Sequence, residues 1–124
     1  MDLIIKKCMK CGAIVDVLND CTCDNCGIKC CGENMKTFSP NTEDASIEKH
    51  LPIVEIKGER VIVKVPHVME DDHFIEWISI VSEKSVNKQI LKAGDVAEVE
   101  FPYIKGSKVY SYCNKHGLWS SEVN

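Results

Sequence analysis

Cysteine crowds the first quarter of this chain and limits how that segment can fold. Seven of the eight cysteines lie within the first 31 residues, at positions 8, 11, 21, 23, 26, 30 and 31. A segment this short buries too little apolar surface to fold unaided, so it requires a metal or disulfides. The sequence shows no hydrophobic region of a secretory signal peptide and no apolar run long enough to span a bilayer. We therefore predict a cytoplasmic protein that does not associate with a membrane. In a reducing compartment such clusters more often bind metals than form structural disulfides, so we predict a metal-stapled module.

A break in composition separates this module from the rest of the chain. The stretch TFSPNTEDAS, residues 37–46, is rich in small and polar residues around Pro40. We therefore predict a first domain over 1–38, a linker over 39–46 and a second domain over 47–124. There is no internal repeat.

The second domain has the periodicity of strands and no helical periodicity. IVEIKGERVIVKV alternates around Lys57 and Gly58 like a hairpin, and HFIEWISIV, AEVEF and KVYSYC add β-branched and aromatic runs. Several short strands separated by turn signals predict a mainly β protein with an antiparallel sandwich or barrel.

The charge distribution excludes one class of partner. Lys and Arg balance Asp and Glu over residues 1–40, so the net charge of −4 resides entirely in the remainder of the chain. No basic face of the kind that nucleic acid requires is present, and no nucleic-acid partner is predicted.

The clustered cysteines allow two sets of four ligands. Cys8 and Cys11 can combine with Cys23 and Cys26, as two Cys-x-x-Cys knuckles in the style of a zinc ribbon. They can also combine with the adjacent pair Cys30 and Cys31, which needs a sharp turn because neighbouring side chains of a strand point to opposite faces. Gly32 could supply that turn. Spacing alone favours the first set modestly and leaves both open.

A second group of metal-binding residue types lies in the presumed β domain. It consists of the four histidines of the chain and the remaining cysteine: His50, His67, His73, Cys113 and His116. Cys113 and His116 form a Cys-x-x-His pair, and His67 and His73 flank an acidic loop before a strand. Five ligands are one more than a tetrahedral zinc site uses, but they suit iron with one coordination position open.

At these residues the chain resembles a known family. EKHLP, PHVMEDDHFIEWI and YCNKHGLW resemble the three metal-binding segments of superoxide reductases. CMKCG followed by CCGENM resembles the desulforedoxin-like domain of the two-iron form, the desulfoferrodoxins. The match covers nearly the whole chain in order.

The resemblance implies two irons per chain. A catalytic ferrous iron in an immunoglobulin-like sandwich would be bound by His50, His67, His73 and His116 in one plane and by Cys113 on the axis. A rubredoxin-like ferric iron would be bound by Cys8, Cys11, Cys30 and Cys31 in a desulforedoxin-like domain. The resemblance thus favours Cys30 and Cys31 over Cys23 and Cys26, the pair that spacing alone favours. Cys21, Cys23 and Cys26 then remain as three cysteines without an assigned role.

The resemblance also implies the reaction, the partners and two catalytic residues. Superoxide would be reduced by one electron to hydrogen peroxide, with electrons returned by rubredoxin or another small donor, in a homodimer. Lys49 would attract the anion and deliver a proton, and Glu48 would fill the open position after peroxide leaves.

Two other functions remain as alternatives at this point. One is a zinc-stapled, nonenzymatic binding module, and the other is a small iron protein that only relays electrons. Metal content and the visible spectrum separate all three.

Overall fold

The structure, a computed structural model, describes residues 2–124. By its internal contacts this part of the chain divides into two compact units, Asp2–Ser39 and Pro40–Asn124. No helix within residues 2–124 has the length and apolar character needed to cross a membrane.

The first unit is built from very short strands. They are β1 (Ile5–Lys7), β2 (Ile14–Asp16), β3 (Lys29–Cys30), β4 (Glu33–Asn34) and β5 (Lys36–Phe38). β1 lies between β2 and β5 in one antiparallel sheet, and β3 pairs with β4 in a separate hairpin. Ile5 is fully buried and pairs with Phe38, but few other apolar side chains join them. A core this small agrees with the expectation that a staple is needed.

The second unit is an antiparallel sandwich that follows a single helical turn. Its elements are α1 (Ile47–His50), β6 (Ile53–Lys57), β7 (Arg60–Lys64), β8 (Ile75–Val81), β9 (Val86–Ile90), β10 (Glu98–Pro102), β11 (Lys108–Cys113) and β12 (Gly117–Glu122). One sheet has the order β10-β7-β6 and the other β12-β11-β8-β9. The prediction of a mainly β fold with antiparallel sheets is confirmed.

The core lies between these two sheets. Val61 and Val63 of β7 and Phe101 of β10 face Ile78 and Ile80 of β8 across a common buried cluster. The hairpin predicted around Lys57 and Gly58 is present as β6 and β7, and Gly58 takes the positive φ of 59° that this tight turn requires. The alternation of apolar residues in the sequence therefore places one face of each strand in the core.

One irregularity in β8 determines which of its residues face inward. Tyr112 of β11 pairs with Trp77, whereas the next residue, Cys113, pairs with Ile75, so Glu76 is an extra residue in the ladder. Side chains of a regular strand alternate between its two faces, so Glu76, two residues before the buried Ile78, would also face the core. The bulge instead turns Ile75 inward, where it is fully buried beside Cys113.

Candidate metal centres

The structure brings together the five histidine and cysteine residues singled out in the second domain. Their potential ligand atoms all lie within 4.8 Å of one another. The imidazoles form a closed ring of four, with centroid separations of 4.7 Å (His50 to His67), 4.9 Å (His50 to His116), 5.1 Å (His116 to His73) and 4.5 Å (His73 to His67). Cys113 Sγ lies 3.4 Å from His67 Nε2 and 3.8 Å from His116 Nδ1, so the thiol adjoins this ring.

Backbone carbonyls orient two of the histidines. His50 is the last residue of α1, and its Nδ1 donates to Ser46 O at 2.6 Å. His67 Nδ1 donates to Val68 O at 2.5 Å. Because Nδ1 carries the proton in each ring, the Nε2 lone pair is directed into the cluster and is available to a metal.

A tight hairpin turn explains the Cys-x-x-His spacing. Cys113 ends β11 and pairs with Gly117, the first residue of β12, whose φ is 76°. The three-residue loop between them directs His116 back over Cys113, and the His116 backbone N–H donates to Cys113 Sγ at 3.3 Å. Such a bond favours the thiolate, the form that binds metals.

His73 lies in a loop that is hydrogen-bonded to the β11–β12 hairpin. It forms an isolated bridge with Glu70, and the next residue, Phe74, donates its N–H to Asn114 Oδ1 at 3.0 Å. Asn114 Nδ2 donates to Asp72 O at 2.9 Å. Sequence reasoning missed Asn114, although an Asn inside a Cys-x-x-His turn is a recognisable turn signal.

Histidine nitrogens at the centre of this cluster face one another or lack a hydrogen-bond partner among residues 2–124, as expected for metal ligands. Buried polar atoms normally have partners, yet His73 Nε2 is buried without one, and His50 Nε2 faces His116 Nδ1 at 3.1 Å. Burial, followed by contacts with neighbouring charges, lowers the pKa of His50, His67 and His73 below the ordinary value, so the neutral ligand form prevails at neutral pH. A cation at the centre would satisfy all of these lone pairs.

The thiol beside the ring is buried, and a separate cavity gives access to the imidazoles. Cys113 is fully buried, and this burial is the main cause of its raised pKa. The backbone N–H groups of Lys115 and His116 partly oppose the rise. The cavity, of about 400 Å³, is lined by all four histidines, Lys49 and Glu70, but not by Cys113. A small molecule therefore reaches the ring through this cavity without contacting the thiol.

The two residues predicted to be catalytic occupy different places. Lys49 lines this cavity and also a neighbouring one of about 470 Å³. Glu48 lies on the exposed surface of α1 and does not line the cavity above the histidines.

We expect Asn114→Ala to weaken metal binding at the histidine site. The variant removes the two side-chain bonds from Asn114 to the loop before β8, and the loss of such an outer partner typically costs about 10–100-fold in metal affinity or activity. Competition with a chelator, followed by metal analysis, measures the change. Asn87→Ala, on an exposed position of β9, is the matched control, and an equal affinity loss in both variants would contradict the role of Asn114.

The first unit assembles a second set of four ligands. The sulfurs of Cys8, Cys11, Cys30 and Cys31 all lie within 4.8 Å of one another, with 3.6 Å between Cys11 and Cys30 and 3.9 Å between Cys30 and Cys31. The pairing of Cys8 and Cys11 with Cys23 and Cys26, which spacing alone favoured, is not the one that the structure assembles. Four thiolates around one centre suit tetrahedral iron or zinc.

The adjacent cysteines converge because they bracket a hairpin turn. Cys30 pairs with Glu33, and the two loop residues Cys31 and Gly32 have φ values of 55° and 77°, the signature of a type I′ turn. A side chain on such a turn is released from strand alternation. In the pair formed by Cys8 and Cys11, the backbone N–H groups of Cys11 and Lys10 lower the pKa of Cys8 to about 6, which favours its thiolate.

Known proteins are similar to this chain over nearly its whole length. The desulfoferrodoxin family model matches residues 42–122. The desulfoferrodoxin of Syntrophotalea carbinolica is 44% identical over 124 residues, covering 97% of this chain and 96% of that protein. That of Nitratidesulfovibrio vulgaris is 45% identical over 124 residues, covering 96% and 95%. The superoxide reductase of Treponema pallidum is similar in structure, with a TM-score of 0.73, 27% identity and coverage of 98% of this chain and 99% of that one.

The sandwich with its ring of imidazoles, together with the four-thiol unit, defines a protein of the superoxide reductase fold with donor sets for two metal ions. Within this class, the chain belongs to the desulfoferrodoxin family.

Proposed function

We propose that this chain is a superoxide reductase that reduces superoxide by one electron to hydrogen peroxide. Its catalytic iron would be held by His50, His67, His73, His116 and Cys113. When bound as Fe²⁺, that ion supplies the electron and an open position for a small anion. The observation that carries this proposal is the ring of four imidazoles, which lines an open cavity and adjoins a buried thiol that does not line it.

Lys49 gives the cavity its affinity for an anion. It is exposed, so its ammonium Nζ is hydrated and charged, and it lines both the cavity over the histidines and the one beside it. A cation at the rim of a small cavity raises the local concentration of superoxide and orients it. Lys49 Nζ, directly or through a water, also delivers the proton that the product requires.

The thiolate of Cys113 acts from the core side. A thiolate ligand donates electron density, as it does in haem enzymes, and this favours protonation and departure of the reduced product. Trp119 supports this arrangement, because it stacks on His50 with 5.0 Å between ring centroids and its Nε1 donates to His116 O at 3.0 Å. These contacts keep one side of the ring dry and rigid.

Glu48 has a separate role in the proposal. Its carboxylate, exposed on the one-turn helix α1, would move to the open position after the peroxide leaves. The adjacent Lys49 would then be displaced from the rim. This motion is consistent with a short helix whose N-cap residue Ser46 makes no side-chain capping bond.

The four-cysteine unit would hold a rubredoxin-like Fe³⁺. Cys8, Cys11, Cys30 and Cys31 provide four thiolates, and the site would serve structure or electron transfer. We further propose that rubredoxin or a similar small donor restores the reduced state, that the chain is a homodimer, and that it acts in the cytoplasm in detoxification.

Pulsed superoxide tests the proposed reaction. A prereduced variant without the surplus thiols (Cys21→Ser, Cys23→Ser and Cys26→Ser), mixed with superoxide, should form one peroxide per superoxide consumed, with no oxygen evolved, and should then stop until a donor is added. Evolution of oxygen in a self-sustaining reaction would indicate a dismutase instead. Zinc in both sites, with no visible absorption and no reaction, would favour the nonenzymatic binding module.

We expect Lys49→Ala to slow superoxide capture by about tenfold, the lower end of the rate gain that local charge produces, and to weaken its salt dependence. Stopped-flow mixing over a range of ionic strength measures both. Lys84→Ala is the matched control, because Lys84 lies in the turn after β8, roughly 20 Å along the strand from the site at about 3.3 Å per residue. Equal rates in the wild type and Lys49→Ala would remove the steering role.

A further inference from the structure

Three cysteines of the first unit belong to neither donor set. Cys21, Cys23 and Cys26 lie on the loop between β2 and β3. The start of this loop is fixed by Asp20, which pairs with Lys6 Nζ at 3.2 Å and accepts the Cys21 N–H at 2.9 Å. Its end is fixed at Ile28, whose backbone O accepts the Met35 N–H at 2.9 Å. The trio is therefore held at both ends of an ordered loop.

Cys23 and Cys26 are close enough to form a disulfide. The Cys26 N–H points to Cys23 O at 3.5 Å, so the two residues are the first and fourth of a β-turn. The Cα atoms at the ends of such a turn lie within about 7 Å, and disulfides span about 4.4–6.8 Å between Cα atoms. Cys26 Sγ also lies 2.9 Å from Cys23 O. The turn thus brings the two cysteines to a backbone separation that a disulfide can span, and rotation of the side chains would bring the sulfurs together.

Cys26 is the thiol that ionises most readily in this trio. Hydrogen bonds from Cys21 and then Cys23 lower the pKa of Cys26, whereas the same contacts raise the pKa of Cys21 to about 11 and raise that of Cys23. The thiolate is the nucleophile in thiol chemistry. Cys26 is half-buried and its two neighbours are exposed, so a small oxidant and an external reductant both have access.

The arrangement favours pairing over metal binding. Within residues 2–124, two groups of residues have ligand atoms that all lie within 4.8 Å of one another, and this trio is not one of them. Cys26 contacts both Cys21 and Cys23. A central thiol with a partner on either side suits the formation of one bond at a time.

We propose that Cys26 and Cys23 are a second redox site, which reduces hydrogen peroxide to water and closes as a disulfide, with Cys21 as the alternative partner of Cys26. The source of the oxidant rests on the proposed function, because peroxide is the product that the histidine site would release. The loop would then consume one molecule of that product per reduction by an external dithiol.

The chemistry balances with peroxide as the only oxidant. The Cys26 thiolate attacks one peroxide oxygen, so that an S–O bond forms, the O–O bond breaks, and the leaving hydroxide takes a proton to become water. The sulfur of Cys23 then attacks Cys26, so that the S–S bond forms and the S–O bond breaks, releasing a second water. Two thiols give up two electrons, and one peroxide becomes two waters.

Peptide mapping of the full-length, iron-loaded protein tests this directly. The protein, with its irons ferric and its free thiols reduced, is treated with one equivalent of added hydrogen peroxide, quenched with an alkylating reagent, and digested. We expect the loss of two alkylatable thiols and a Cys23–Cys26 disulfide, while the absorption of the four-thiolate site is retained. Since the wild type is mapped, this result does not depend on how any variant folds.

Single substitutions assign the roles within the trio. Cys26→Ser should abolish the disulfide, Cys23→Ser should redirect it to Cys21 and Cys26, and Cys21→Ser is the matched control that should leave it unchanged. The double variant Cys21→Ser with Cys23→Ser should accumulate a sulfenic acid at Cys26 that dimedone traps. A disulfide between Cys21 and Cys23, or a trio that stays fully reduced while the four-thiolate site bleaches, would overturn the proposal.

The oxidant is identified in a second arm. A flux of superoxide supplied to prereduced protein with an electron donor should oxidise the loop, and catalase should suppress this oxidation. If added peroxide forms the disulfide but the superoxide flux does not, then the proposed superoxide reductase activity fails and the loop chemistry stands. If neither oxidant forms it, the loop proposal fails whatever the activity of the histidine site.

Discussion

Cys113→Ser is expected to abolish both the thiolate absorption of the histidine site and its superoxide-dependent peroxide formation. Burial raises the pKa of Cys113, and the backbone N–H groups of Lys115 and His116 act against that rise, so a metal ion would be needed to hold the thiol in its ionised form. A serine hydroxyl stays protonated in such a place, so the site loses its only anionic ligand. Because loss of an outer partner alone costs about 10–100-fold, loss of the ligand should cost more. Visible spectra and stopped-flow kinetics on iron-loaded protein measure the two losses.

Cys21→Ser is the control for this experiment, since it makes the same substitution at an exposed cysteine outside both donor sets. Its spectrum and its rate of superoxide consumption should match those of the wild type. Retention of the band in Cys113→Ser would place the thiolate ligand elsewhere. Retention of activity without the band would show that the thiolate is dispensable for the reaction.

Cys30→Ser combined with Cys31→Ser should abolish the four-thiolate spectrum and unfold the first unit. The free energy of metal binding at such a site is largely the free energy of folding, because the unit has almost no core of its own. We expect the absorption to be lost and the amide signals of residues 2–39 to collapse toward random-coil positions in NMR spectra. Signals of the sandwich report whether the second unit is affected.

Cys23→Ser combined with Cys26→Ser is the matched double variant, and it should retain the four-thiolate spectrum. It removes the same number of thiols from the same unit but leaves the four converging sulfurs in place. The reverse result, in which this variant loses the spectrum and the Cys30 and Cys31 variant keeps it, would contradict the ligand set.

The sequence predicted the strands that carry an apolar alternation and missed those that do not. The hairpin of β6 and β7 and the strands β8, β10 and β11 all contain β-branched or aromatic runs, and all are present. β9 has the sequence VNKQI and lies at the edge of its sheet, where most of its side chains are exposed, so it carries no such signal. β12 begins at a glycine, and its strand conformation depends on pairing with β11.

The sequence identified the residues able to bind a metal, but it did not show that they come together in space. The Cys-x-x-His pair follows from a local turn, whereas bringing His50 and His67 to that turn depends on long-range packing that no short window contains. The choice between the two cysteine pairs depended on backbone conformation, because Cys31 adopts a positive φ that is uncommon for residues other than glycine. Only the resemblance of CCGENM to a known domain anticipated it.

The bulge at Glu76 determines where this chain can tolerate insertions and deletions. Because side chains alternate with a period of two, adding or removing one residue between His73 and Trp77 would exchange the inner and outer faces on one side of the change. Ile75 would then leave the core beside Cys113. The loops 82–85 and 103–107 lie at the other end of the same strands, and a change of length there shifts no ladder residue. We therefore expect length variation among working relatives to concentrate in those two loops, with the count of residues from His73 to Trp77 held constant.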